Sequence, residues 1–206
     1  MGLFEGGISY TTYFVEGQVD AEFRSQLIER LNRFRFVDLT ADAEEDVSFG
    51  WVPAEDMLKA RFDGPSVFLN QYAVFSLRVD RWSIPALLLK AALKQVEREA
   101  QGTSSAGYLS RTDREQLLQR ERAILKEKTL PSVRSVDVGW NVNSGELRFS
   151  SQSRPMNELF IDLFERTTQF RLVPDNPYSR ALNCNLGVGE IGKLAEVEPS
   201  SWSAGG

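Results

Sequence analysis

The chain contains no histidine and a single cysteine, Cys184, in its 206 residues. Histidine supplies much of the general acid–base chemistry at neutral pH, the base of Ser–His and Cys–His pairs, and the usual nitrogen ligand of zinc. Those mechanisms are excluded together. A lone cysteine cannot close an internal disulfide, which fits a reducing compartment. No Gly-Lys-Ser or Gly-Lys-Thr sequence occurs, so a Walker-type phosphate loop is missing as well. No run approaches the roughly 20 apolar residues that a membrane-spanning helix needs. The opening MGLFEGGISY lacks the basic start and apolar stretch of a secretory leader. The expectation is a cytoplasmic protein with no membrane partner. Carboxylate-only catalysis is the enzymatic route left open, and no residue pattern points to it. A non-enzymatic protein without a cofactor or catalytic residues is therefore expected.

What is present is an ordinary globular composition, 42% hydrophobic, 11% aromatic and 26% charged, enough to build a core. The net charge of −5 is unevenly distributed. Residues 1–80 hold 7 basic and 14 acidic side chains, residues 81–134 hold 11 and 6, and residues 135–206 hold 6 and 9. The middle is a basic island in an acidic protein, and such asymmetry can mark a surface that faces anions.

Periodicity places the elements. Ile8 to Val15 alternates as a strand does, with Ile8, Tyr10, Thr12 and Phe14 on one face. Asp20 stands where a helix N-cap belongs, before Phe23, Leu27, Ile28, Leu31 and Phe34 at helical spacing. An acidic loop, 38–46, leads to FGWVP at 49–53, and Val67 to Val79 reads as one long strand. In the basic island Ser83 and Pro85 start a helix with Leu87, Leu88, Ala91 and Val96 as its apolar stripe. A break at 101–107 precedes a second helix opening with the capping-box pattern Ser110-x-x-Asp113. Val133 to Val142 and Glu146 to Ser150 read as strands joined by a turn at Asn143-Ser144-Gly145. A helix near 155–168 and a short strand at 170–173 follow, and the tail PSSWSAGG reads as disordered unless Trp202 docks.

Shifting the sequence by 136 positions lays residues 158–173 on residues 22–37, with identities such as Glu29/Glu165, Arg30/Arg166, Phe34/Phe170 and Arg35/Arg171. Two readings stand: a duplicated strand–helix–strand unit, or chance similarity of two amphipathic helices. The first gives an α+β fold with four parts. These are a strand–helix–strand unit at 1–80, a basic helical insert at 81–131, a second unit at 132–180 and a Gly/Pro-rich tail at 181–206. The units share an antiparallel or mixed sheet with helices on one face, flanking a basic helical hairpin.

Several motifs have plain explanations. Gly187-Val188-Gly189-Glu190-Ile191-Gly192 spells the dinucleotide fingerprint, but too little chain follows it for the required helix and strand, so a glycine-rich surface turn is expected. Asp42, Glu44, Glu45 and Asp46 lack the ligand alternation and glycine of a calcium loop and read as a solvated acidic loop. Trp51, Trp82 and Trp140 could stack on bases, although aromatics on strands usually fill the core. In the island, Lys90, Lys94 and Arg98 share one helix face. Arg111, Arg122 and Lys126 share an arc of the next helix, with Arg114 beside them. Such a strip could track phosphates without reading bases. The interleaved Glu97, Glu99, Glu115, Glu121 and Glu127 fit equally an ordinary salt-bridged surface.

The chain resembles the RdgC family of recombination-associated proteins. The resemblance rests on GLFEGGISYTTYF at the start, FGWVP, IPALLLKAALKQVEREAQ, a charged helix ending in KEKTLPSVRS, WNVNSGEL and the closing FRLVP, over about residues 1–175. It implies a non-enzymatic protein that binds double-stranded DNA with little sequence preference, restrains a RecA-type recombinase and forms a ring-shaped homodimer with a basic inner surface. Nucleoid association would follow. By position, Lys90, Lys94, Arg98, Arg111, Arg114, Arg122 and Lys126 fall in the region that is richly basic in the family. GTSSAGYLSRTDRE at 102–115 stands where the family has a lysine/arginine cluster. The alternative is a protein-interaction or regulatory module that keeps the scaffold without the DNA role.

Overall fold

In the computed structural model, residues 9–17, 19–20, 22–41, 43, 45–103, 110–182 and 187–196 are described. In chain order the strands are β1 (Thr11–Glu16), β2 (Val47–Val52), β3 (Phe68–Leu69), β4 (Tyr72–Arg81), β5 (Ser132–Asn141), β6 (Glu146–Phe149) and β7 (Arg171–Pro174). The helices are α1 (Phe23–Arg33), α2 (Ala86–Thr103), α3 (Arg111–Glu127), α4 (Arg154–Thr168), α5 (Pro177–Leu182) and α6 (Val188–Ala195). The strands form one sheet in the order β2-β4-β5-β6-β1-β7, with β3 as an added hairpin on β4. Every strand pairing is antiparallel. A single parallel bridge, Arg35 to Trp51, adds a residue outside the strands to the β2 edge. The architecture is α+β.

Alternation along the strands decides which face is covered. Ala73, Phe75, Leu77 and Val79 of β4 and Val136, Val138 and Trp140 of β5 share one buried face with Leu147 and Phe149 of β6. Phe23, Leu27 and Leu31 of α1 and Met156, Phe160, Leu163 and Phe164 of α4 close over it. Each such side chain contributes roughly 1.5–3 kcal/mol on leaving water. The Phe149 and Phe160 rings stack at 4.1 Å with planes 9° apart, and Trp140 meets Phe164 edge-on at 5.5 Å. Trp51 Nε1 donates to Thr167 Oγ1 at 2.8 Å, tying β2 to the last turn of α4. Trp51 and Trp140 are thus core residues, while Trp82 is half-buried.

The opposite face carries one buried ionic pair. Arg78 donates from Nε and Nη2 to the two Asp80 carboxylate oxygens at 2.9 and 2.7 Å and from Nη1 to the Met57 carbonyl at 3.1 Å. Its guanidinium lies 4.1 Å from the centre of the Phe36 ring. The hydrogen bond to Asp80 raises the Arg78 pKa further, so this cation is fixed within the fold.

Three expectations need correction. The run 67–79 is not one strand, because Asn70, at φ 56°, turns the chain between β3 and β4. Asparagine tolerates that left-handed conformation better than other non-glycine residues, and here it sits inside an otherwise apolar stretch. The expected N-cap, Asp20, lies three residues before the helix. Its Oδ1 accepts from the Glu22 amide at 3.1 Å, and Glu22 occupies the cap position. The glycine motif at 187–192 is not a surface turn, because Gly187 is the N-cap of α6 and Glu190 folds back on its amide at 2.9 Å. Ile8, Cys184, the break after Thr103 and the tail PSSWSAGG lie outside the described residues. No described helix is long and apolar enough to cross a membrane.

Candidate nucleic-acid interface

Helices α2 and α3 leave the sheet between β4 and β5 and pack on each other. Each starts where its sequence dictates. Pro85 stands just ahead of α2, and its carbonyl accepts from the Leu89 amide at 3.1 Å. The missing proline N–H would be unpaired there in any case. For α3, Ser110 Oγ accepts from the Asp113 amide at 3.2 Å, and the Asp113 carboxylate accepts from the Ser110 amide at 3.1 Å and hydroxyl at 2.7 Å. This complete capping box holds the Asp113 carboxyl below the ordinary aspartate range.

The seven expected contact residues divide into three groups. Lys90, Lys94 and Arg98 stand exposed along α2, and no ion pair involves them among the described residues. Arg111 and Arg114 are also exposed but bound to carboxylates. Arg111 Nε reaches Glu115 at 3.0 Å along the same helix, and Arg114 Nε reaches Glu97 of α2 at 3.6 Å. The first is an exposed i,i+4 pair worth about 0.3–0.5 kcal/mol, which a phosphate can displace. The second links the two helices.

Arg122 and Lys126 depart from the outward strip that helical spacing predicts. Arg122 pairs with the Asp46 carboxylate. Lys126 is 3% exposed, lies 3.1 Å from Asp46 Oδ1 and donates to the Ala43 carbonyl at 2.8 Å. Leu125 is buried beside it. The arc is correct as helix geometry, but its C-terminal half is turned onto the chain entering β2. The two cations tether α3 there, and a solvated loop is not what Asp46 belongs to. Asp46 is the partner that spacing along one helix could not reveal, since it lies 76 residues from Arg122.

The base of the helix pair carries exposed apolar side chains: Leu87 at 81%, Leu130 at 92%, and Leu88 and Val133 near half. Among the described residues, no group of three His, Cys, Asp or Glu side chains converges as a metal site would require. No protein-family model matches the chain, and no curated protein matches it.

Proposed function

We propose that this protein binds double-stranded DNA without catalysing a reaction, laying the solvent face of α2 along the phosphate backbone. The supporting observation is the exposed row of Lys90, Lys94 and Arg98, free of carboxylate partners among the described residues. Successive members are four residues apart, a spacing that keeps them on one face of the helix. In this reading α2 and α3 form a basic helical hairpin between two related strand–helix–strand units, β1-α1 with residues 34–36, and β6-α4-β7. Arg111 adds a displaceable charge, whereas Arg122 and Lys126 act as tethers rather than contacts. The resemblance to RdgC proteins supports a homodimer, nucleoid association and a recombinase as protein partner.

Three neutralised phosphates correspond to a salt slope of about −2.7 in log affinity against log salt. Anisotropy titrations of a labelled duplex at several salt concentrations measure it. Lys90→Glu/Lys94→Glu/Arg98→Glu should abolish binding at low salt, while Arg111→Gln lowers affinity only slightly. Affinity unchanged in the triple variant overturns the reading.

A second reading, a protein-interaction module, is favoured by the apolar cluster of Leu87, Leu88, Leu130 and Val133 at the base of the helices. Exposed apolar groups gathered in one place mark contact surfaces. Light scattering on Leu87→Lys/Leu130→Lys distinguishes self-association from a surface that meets another protein. Loss of a dimer with DNA binding retained assigns the patch to the homodimer.

A further inference from the structure

A groove of about 520 Å³ opens between the end of the sheet that carries Val47, Arg81 and Ser132 and the start of α4. Its floor is apolar, from Val47, Phe49 and Val79 on the sheet and Met156 and Leu159 on α4. Arg81 and Arg134 stand over it on neighbouring strands. Both are exposed, and neither has a carboxylate partner among the described residues. The first turn of α4 contains no acidic residue, so its positive end adds to the same field.

The strand bordering this groove is open along its edge. The Trp51 amide donates to the Phe34 carbonyl at 3.0 Å, and the Trp51 carbonyl accepts from the Phe36 amide at 2.9 Å. Backbone groups of an antiparallel strand alternate in direction with a period of two. The N–H and C=O of Val47 and Phe49 therefore point outward like those of Trp51. They have no backbone partner among the described residues, and Phe49 is exposed above them.

We infer that this corner is a docking site for an extended acidic peptide segment, which adds as a strand to the Val47–Phe49 edge. Outward amides and carbonyls supply the ladder. Alternate side chains of the added strand point over the apolar floor, where a leucine- or valine-sized group is buried. Carboxylates two residues from it, on the same face of the added strand, meet Arg81 and Arg134, which share that face with Val47, Phe49 and Val79. Two guanidinia beside a strand edge select an acidic segment over a neutral one, and the strand edge selects an extended chain over a simple anion.

The test uses the full chain and a fluorescein-labelled peptide that carries valine and glutamate in turn at every second position with threonine between them, with its glutamine counterpart and free glutamate as controls. Saturable binding of the acidic peptide is expected, with the glutamine peptide at least about tenfold weaker. Arg81→Gln/Arg134→Gln should weaken binding by about the same factor. Val47→Pro removes an outward donor that the native sheet does not use, so the fold persists on an edge strand while binding is lost. Circular dichroism melts establish that each variant is folded, and amide chemical shifts of Phe49, Val79 and Leu159 locate the peptide. Binding unaffected by both variants overturns the inference, as does no saturable binding at millimolar peptide. It also falls if the same two arginines prove to hold duplex DNA instead, with Arg81→Gln/Arg134→Gln reducing DNA affinity and the peptide failing to compete.

Discussion

Lys126, on the last turn of α3, reaches across 80 residues of sequence to place its ammonium 3.1 Å from the Asp46 carboxylate. The Lys126 side chain is 4% exposed and that of Asp46 27%. Asp46→Asn leaves a buried ammonium and the Arg122 guanidinium facing a neutral amide. Breaking a fully buried pair costs about 3–5 kcal/mol, and an exposed pair about 0–1 kcal/mol. With Asp46 27% exposed, a loss of about 2 kcal/mol is expected in urea unfolding. Adding Lys126→Met should recover part of it, because the buried ammonium that has lost the Asp46 charge is then removed. Native-state hydrogen exchange should show the extra opening in α3 rather than in the sheet.

The same contact explains where the sequence stops being readable. Local patterns placed β1, β5, β6, β7 and the four longer helices within a few residues, since alternation, helical spacing and capping are set by near neighbours. The Ser110–Asp113 box was legible to the atom. Helical spacing also put Arg122 and Lys126 on one arc, but not which way that arc faces, because orientation is decided by a partner distant in the chain. Asn70 failed to register for the opposite reason: a single turn residue was outweighed by the apolar run around it. Lys90, Lys94 and Arg98 were readable as a face because their exposure requires nothing from elsewhere in the fold.

Gly50 provides a test of the edge of the sheet. A Cβ built on it would lie 2.5 Å from both the Cα and the amide nitrogen of Phe36. The obstacle is backbone, fixed by the Phe36–Trp51 hydrogen bond, so it cannot swing aside. Gly50→Ala should therefore cost about 1–3 kcal/mol, the range for overpacking a filled site. It should also lift the Phe36 ring off Arg78, which a methyl or ring shift in proton NMR would register.

Acid should loosen the start of α3. Folding lowers the Asp113 pKa through the Ser110 hydrogen bonds, so its contribution is present above the unfolded aspartate value. It is lost as pH falls through the lower, folded value. Ser110→Ala removes the hydroxyl acceptor for the Asp113 amide and should cost about 0.5–2 kcal/mol of helix stability at neutral pH. The difference between wild type and Asp113→Asn should shrink as pH drops below 4 or so, roughly where free aspartate protonates. Amide exchange in the first turn of α3, followed against pH, measures both effects.

Base acts through a buried phenol. Tyr13 is buried on β1 and donates its hydroxyl to Asn157 Oδ1 of α4 at 2.6 Å. Burial pushes its pKa up to about 12, whereas an exposed tyrosine in the unfolded chain ionises near 10. A neutral phenol is thus favoured by the fold. Its stabilisation is complete below the unfolded value and is lost as pH rises from about 10 towards 12. Tyr13→Phe loses the hydrogen bond to Asn157 and should be about 1 kcal/mol less stable at neutral pH, the usual worth of such a bond. Phenylalanine has no proton to lose, so the variant should decline less steeply in alkali and the two stability curves should converge. Urea titrations at neutral pH and at pH 10 to 11 make the comparison, and parallel curves would mean that the Tyr13 phenol is reached by solvent in the folded protein.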